Sequence, residues 1–343
     1  MELGLFTFVD NTVNPQTGEK LPPEKRLSNL LEEIKLADEA GLDVFGIGEH
    51  HREEYVSSAP TMILAAAASI TKKIRLTSTV TVLGSEDPVR VFQQFATLDL
   101  LSKGRAEIMV GRGSFIESFP LFGYDLQDYE ELFEEKLELL LQLRQQQIIS
   151  WSGKYRAPIQ ERGIYPQPYQ KELPIWRAVG GTPKSAYATG AQGLPLALAI
   201  IGGQPARFKQ FADNHAQGAL DANQPKQKVS INSHGFIAET EKEANEIAFP
   251  AFKLTMDKLG QERGWPPMSR AQFDASTELE GANFIGSPQQ IIDKIMYQYE
   301  IFKHDRFLMQ MSVGSIPHNQ MMKSIELFAT KVAPVIRKEI GIK

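Results

Sequence analysis

Apolar positions along this chain recur at two spacings that take turns. Short runs rich in β-branched and aromatic residues, such as 3–8 and 74–82, read as strands; longer stretches such as 24–40, with apolar residues three and four apart, read as helices. In that stretch Leu30, Ile34 and Ala37 share a face and Gly41 supplies the stop. Strand runs at 3–8, 43–48, 74–82 and 106–110 are each followed by a helical run, at 24–40, 60–71, 88–101 and 128–147. Alternation resumes with a strand at 174–179 and a helix from Pro183, a strand at 194–200 and a helix from Pro205, and a strand at 229–238. A helix from Pro288 leads to the last unit, a strand at 305–311 and a helix over about 321–339.

Eight strand–helix units predict a (β/α)8 TIM barrel, because parallel strands need long crossovers and eight of them can close without leaving an edge. A doubly wound open sheet is the alternative. Two stretches break the alternation and read as insertions after strands four and seven. The first, 148–173, is rich in Pro, Gly, Tyr and Gln, and Trp151-Ser152-Gly153-Lys154-Tyr155 resembles a short hairpin. The second, 239–285, carries a polar helical run over 241–258 and a loop around Trp265-Pro266-Pro267. The whole chain, 1–343, is expected to form one barrel domain.

Composition narrows the chemistry. The 343 residues include 37 Lys plus Arg against 42 Asp plus Glu, a formal net charge of −5. Nucleic acid and anionic membrane surfaces are therefore poor candidate partners. The absence of cysteine excludes disulfides, thiolate metal sites, Cys-held iron–sulfur clusters and a Cys nucleophile, so any redox chemistry must come from a cofactor. The longest apolar runs, 62–68 and 194–201, fall far short of the ~20 residues that cross a bilayer. Residues 1–10 lack a basic segment followed by an apolar one, which makes a cytoplasmic location the default expectation.

In a barrel of this kind the active site lies beyond the carboxyl ends of the strands. After strand five, Gly180-Gly181-Thr182-Pro183-Lys184-Ser185 combines bare backbone with a cap and a proline at the first helical position, leaving N–H groups free to bind an anion such as phosphate. A cap with no ligand is the other reading, and Gly286-Ser287-Pro288 repeats the same signal. Arg112, between Gly111 and Gly113 at the end of strand four, would complete a phosphate clamp, or form an ordinary ion pair with a barrel carboxylate. After strand two, Glu49-His50-His51 does not suit a metal, since neighbouring residues on an extended segment face opposite ways. One of these histidines is expected at the barrel mouth as acid, base or hydrogen-bond donor, with Glu49 or the other histidine fixing its tautomer. His318, after strand eight, either lines the same mouth or caps the last helix; His215, His234 and His304 read as structural.

These pieces together resemble the bacterial luciferase-like, flavin-dependent monooxygenases. The likeness runs through Gly48-Glu49-His50-His51, Asp87-Pro88-Val89-Arg90, Leu98-Asp99-Leu100-Leu101-Ser102-Lys103-Gly104-Arg105, Val110-Gly111-Arg112-Gly113, Val179-Gly180-Gly181-Thr182-Pro183 and Phe284-Ile285-Gly286-Ser287-Pro288. It implies a barrel holding reduced, exchangeable FMN at its mouth and using O2 as co-substrate on a small organic molecule, an aldehyde among the candidates. It further implies that Arg112, Gly180, Gly181, Thr182 and Ser185 hold the FMN phosphate, that the Thr79–Val80 backbone lies under the ring, and that His50 is the catalytic histidine. A separate NAD(P)H:flavin reductase and a homodimer packed through helices two and three also follow, the latter compatible with Ala65-Ala66-Ala67-Ala68. Luciferase proper carries cysteine where this chain has Gly111, and its mobile loop finds no match in 239–280, so light emission is not expected. The competing readings are a deazaflavin-dependent oxidoreductase, a non-catalytic flavin-binding protein and, most distantly, a metal-dependent hydrolase.

Overall fold

The β-rich runs become eight parallel strands among the described residues: β1 (Glu2–Thr7), β2 (Val44–Ile47), β3 (Arg75–Ser78), β4 (Ala106–Gly111), β5 (Ile175–Val179), β6 (Leu196–Ala199), β7 (Val229–Ile237) and β8 (Arg306–Gln310). Each pairs with the next, and β8 pairs back onto β1, Glu2 lying opposite Arg306, so the sheet closes into a TIM barrel. This is a computed structural model, which describes residues 1–113 and 115–341. Around the barrel lie α1 (Pro23–Glu39), α2 (Pro60–Ile70), α3 (Pro88–Ser102), α4 (Tyr129–Gln145), α5 (Pro183–Ala191), α6 (Lys209–Asp221), α7 (Glu241–Arg263), α8 (Arg270–Thr277), α9 (Pro288–Phe302) and α10 (His318–Leu327). Five of these, α1, α2, α3, α5 and α9, begin with proline in the first turn, where its missing N–H has no helical partner to lose. The open sheet is excluded by closure.

Two layers of packing hold the barrel. The larger core lies between strands and helices, where Leu3, Ile47, Leu76, Ile108 and Phe307 face Leu30, Ile34, Phe95, Leu137 and Ile325. Inside the barrel, Phe6, Val44, Met109, Trp176, Ala197 and Leu308 fill a second layer. Below it, at the amino ends of the strands, Arg306 bridges Glu107 and Glu2, lies over the Trp176 ring and is buried.

The two insertions are ordered. Residues 148–163 form an antiparallel pair, Ile148–Trp151 with Ile159–Gly163, so Trp151–Tyr155 opens the connecting loop instead of forming the hairpin itself. In the second insertion α7 runs on to Arg263, beyond the expected end at 258, and with α8 buries Ala244, Ala248, Phe252 and Phe273 against Phe236 and Ile285. Phe284–Gly286 adds a short parallel strand to the end of β7, which period alone did not predict because three buried residues carry no alternation. The strand expected over 74–82 breaks after Ser78 and continues as Thr81–Val82, still alongside β4. The terminal helix starts three residues early, at His318, and passes through a wider turn at Phe328–Val332 before Pro334.

Candidate active site

Above the carboxyl ends of the strands lies a chamber of about 330 Å³. Phe8 beyond β1, His50 beyond β2, Phe115 beyond β4, Ile201 beyond β6, and His234 and Gln310 on β7 and β8 converge on it. The last turns of α7 cross over it and contribute Leu254, Met256 and Leu259. The surface it exposes is mostly apolar, as in many small-molecule sites, although many of its lining residues are polar or charged, Asp10, Lys20, Arg52 and Arg263 among them. Gly48 makes this possible: a side chain there would begin 2.1 Å from the Phe8 ring, so only glycine lets that ring lie against the strand end.

His50 sits in an aromatic cage, its ring centroid 4.3 Å from Phe8, 4.5 Å from Tyr55 and 4.8 Å from Phe115. Burial, aided by the nearby Arg52 and His51, lowers its pKa to about 3, so the ring is neutral at pH 7. His51 points elsewhere: its Nε2 lies 2.8 Å from Glu49 Oε1, and Glu49 Oε2 accepts the Val82 N–H at 2.9 Å. Glu49 thus orients His51 and ties β2 to the next strand end, while packing, not a carboxylate, positions His50.

At the rim, Arg112 lies beside the glycine turn, its Nη2 3.7 Å from where a Cβ on Gly181 would stand. The guanidinium stacks 5.3 Å from the Tyr129 ring and bonds Glu130 at 3.0 Å; Tyr129 donates to the Gly113 carbonyl. Thr182 caps α5 by accepting from the Ser185 N–H, with its hydroxyl 3.0 Å from Ser185 Oγ. The result is one cation facing a bare backbone at a helix start, the chemistry of a phosphate cradle. Between cradle and chamber, Thr79 and Val80 are joined by a cis peptide. Val80 packs where a side chain on Gly111 would begin 2.9 Å from it, and Thr79 Oγ1 is buried with no hydrogen-bond partner among the described residues.

The profile of the luciferase-like monooxygenases matches residues 1–303. The chain belongs to the luciferase-like monooxygenase family. It is 22% identical to the oxygenase component of a flavin-dependent trigonelline monooxygenase from Acinetobacter baylyi, over 97% of this chain and 95% of that protein. Among solved structures it is similar to the oxygenating constituent of the 3,6-diketocamphane monooxygenase of Pseudomonas putida in complex with FMN, with a TM-score of 0.78 and 19% identity over 98% of this chain and 99% of that one. It is also similar to the coenzyme F420-dependent tetrahydromethanopterin reductase of Methanopyrus kandleri, with a TM-score of 0.73 and 20% identity over 98% and 99% of the two chains. At those identities the two structures share the fold with this chain. The luciferase-like relatives therefore include proteins named for flavin and for deazaflavin.

Against this luciferase-like frame, the residues picked out by sequence fall into two groups. Arg112, Gly180, Gly181, Thr182 and Ser185 come together at the rim, and His50 faces the chamber. His318 does not join them: it opens α10 and contacts Glu33 at 3.2 Å and Glu32 at 3.1 Å on α1, and these carboxylates raise its pKa against the opposing effect of burial. Sequence reasoning missed four chamber groups. His234, read as structural, lies opposite Gln310 in the β7–β8 register, and both line the floor. Tyr55 and Asp10 form an isolated bridge on loops that no periodicity marks. Asp10 is buried, which raises its pKa to about 6 although it accepts the Gly314 N–H at 2.8 Å and lies near Arg26. A scan for polar residues near every strand end, not only in glycine-rich turns, would have found His234.

Proposed function

We propose that the chain is the oxygenase of a two-component system that uses reduced FMN and O2 to oxidise a small organic substrate. The observation that carries this reading is the Arg112 guanidinium set against the bare backbone of Gly181 at the start of α5. Arg112, Gly180, Gly181, Thr182 and Ser185 would hold the phosphate, the Thr79–Val80 backbone would lie under the ring, and His50 would stand near its reacting edge. A bound reduced flavin supplies the activation of O2, which side chains do not perform by themselves. The chain's own contribution is positional and protective. Phe8, Phe115 and α7 keep water from the chamber, and His50, neutral at pH 7, takes or gives a proton at a ring nitrogen.

The name of the trigonelline relative, an oxygenase component, supports a separate flavin reductase as partner. Exposed apolar residues Met62 on α2 (72%) and Leu101 on α3 (59%) support a homodimer through these helices; sedimentation equilibrium is expected to give twice the 38.4 kDa of one chain, and the mass of a single chain would contradict it. The F420-dependent relatives support a deazaflavin as the second reading. Titration with FMN and with F420, followed by turnover of reduced FMN under ¹⁸O₂ against a substrate panel, separates the readings. The proposal expects preference for FMN and one ¹⁸O atom in the product. Preference for F420, or flavin binding with no labelled product from any substrate, contradicts it.

A further inference from the structure

The floor of the chamber is built from acceptors. Asp10 stands beyond β1, His234 and Gln310 lie opposite each other in the β7–β8 register, and all three are buried and line the same space. One oxygen of Asp10, Oδ1, accepts the Gly314 N–H at 2.8 Å; the other, Oδ2, has no hydrogen-bond partner among the described residues. Gln310 donates its Nε2 to the Ser312 carbonyl at 3.3 Å, which leaves Oε1 unmatched, and His234 Nδ1 is unmatched as well. A buried polar atom without a partner costs free energy that a bound donor recovers.

The charged groups around Asp10 are engaged otherwise. Arg26 gives its Nε to the Asp10 backbone carbonyl and both terminal nitrogens to Glu33, which also meets His318. Of the cations lining the chamber, Arg52 bonds Glu54, Glu117 and Glu262, Lys258 bonds Glu53 and Glu54, Lys20 reaches the Glu53 carbonyl, and Arg263 lies over the rings of Phe115 and Trp265. Tyr55, the bridge partner of Asp10, stays protonated because burial raises its pKa, and burial keeps the His50 and His234 rings neutral. At pH 7.5 the floor therefore carries a carboxylate, its pKa raised by burial to about 6, that holds one N–H bond. The second cavity that Asp10 borders has about 20 Å³, room for one water and no ligand.

We infer that the chamber takes a substrate with a primary ammonium group on an apolar body, seated with its N–H donors on Asp10 and with Gln310 and His234 beside it. This rests on the reading of the chamber as the substrate side of a flavin site. A primary ammonium brings three N–H donors and a charge that offsets the carboxylate, whereas a hydroxyl brings one donor and no charge, and a ketone only another acceptor. The walls Phe8, Val13, Phe115, Leu254, Met256 and Leu259 receive the hydrocarbon part. At roughly 30 Å³ per water-sized group, a volume of about 330 Å³ takes about eleven non-hydrogen atoms. Asp10 is then a specificity residue, which fixes the end of the substrate that lies on the floor.

The test uses three ligands of that size built on one cage, 1-adamantylammonium, 1-adamantanol and 2-adamantanone, titrated calorimetrically into the full-length protein with and without FMN at pH 7.5. The ammonium is expected to bind at least tenfold tighter than the alcohol or the ketone. Asp10→Asn, which keeps an oxygen for the Gly314 N–H and removes the charge, is expected to erase most of that advantage without lowering the melting temperature or FMN affinity. In wild type, ammonium affinity should fall about fourfold from pH 7.5 to pH 5.5 as Asp10 takes a proton, and this fall should vanish in Asp10→Asn. Should FMN fail to bind while the ranking and the Asp10→Asn effect hold, the cofactor reading falls and the assignment of the floor stands. Should FMN bind while the alcohol or the ketone matches the ammonium, or while the ammonium advantage survives Asp10→Asn, the assignment is overturned and the cofactor reading survives.

Discussion

Arg112 meets two competitors for its charge. Its present partner, Glu130, is 79% exposed, so that pair is worth little, whereas a phosphate in the cradle would take several hydrogen bonds from guanidinium and backbone together. Glu130→Gln is therefore expected to tighten FMN binding by a few fold with an unchanged melting temperature, and weaker binding in a fluorescence titration would contradict the competition. The cradle was legible in sequence because Gly180-Gly181-Thr182-Pro183 and Gly111-Arg112-Gly113 are local signals, each complete within a few residues. Tyr55, Asp10 and His234 were not, because their meaning depends on which loops and strands stand side by side. The stretch 87–113, which holds three of the segments on which the family likeness rests, turns out to be largely structural. Asp87 caps α3, buried Asp99 accepts from Gln170 and Ala106, and Arg105 bonds the carbonyls of Ile74, Ala68 and Thr71. Only Arg112 in that string reaches the rim cradle.

At the scale of elements, α7 decides how the chamber is covered. Its last turn is fastened by Glu262 to Arg52 on the loop beyond β2, and Arg52 also holds Glu117 on the loop beyond β4. Glu262→Gln loosens only this end, since Lys258 still binds Glu53 and Glu54. A loss of global stability within about 1 kcal/mol is expected, with several-fold faster tryptic cleavage after Arg263 and a higher KM for substrate. In wild type the same cleavage should accelerate with added salt, and cleavage indifferent to salt would show that α7 is held by packing alone. Period and caps located the barrel strands and outer helices, because a buried strand or an amphipathic helix advertises itself within one element. They failed where neighbours set the outcome: Phe284–Gly286 is a strand because β7 offers an edge, and α7 outlasts its expected end because Arg52 and Phe115 receive it.

For the whole molecule, the amino-end layer of the barrel serves stability while the carboxyl end holds the chamber and the glycine turn beside Arg112. Burial alone would raise the Glu107 pKa, but Arg306 and Arg75 outweigh it and hold the carboxylate ionised at 2% exposure. Arg306→Met leaves that charge with Arg75 only and should cost about 3–5 kcal/mol in urea unfolding, with FMN affinity unchanged. Acid acts through other groups. Burial lowers His50 to about 3, His234 to about 4 and His304 to about 3, so below pH 6.5 the unfolded chain binds protons that the native chain refuses. Asp10, raised to about 6, has the opposite sign, since the native state holds its proton more tightly. The net uptake on unfolding near pH 5 is about two protons, so stability should fall by about 3 kcal/mol for each unit that the pH is lowered there. A flat profile between pH 6 and 4.5 would place these groups in contact with water.

The central claim, that the rim cradle grips a phosphorylated ring cofactor, is tested most directly by comparing FMN with riboflavin, which differ by the phosphate alone. In equilibrium titrations wild type should bind FMN at least tenfold tighter than riboflavin. Arg112→Ala should erase most of that advantage, a loss of roughly 1.5–3 kcal/mol for a hydrogen bond to a charged group, and leave riboflavin affinity as it was. Equal affinity for the two flavins in wild type, or an FMN advantage that survives Arg112→Ala, would contradict the account.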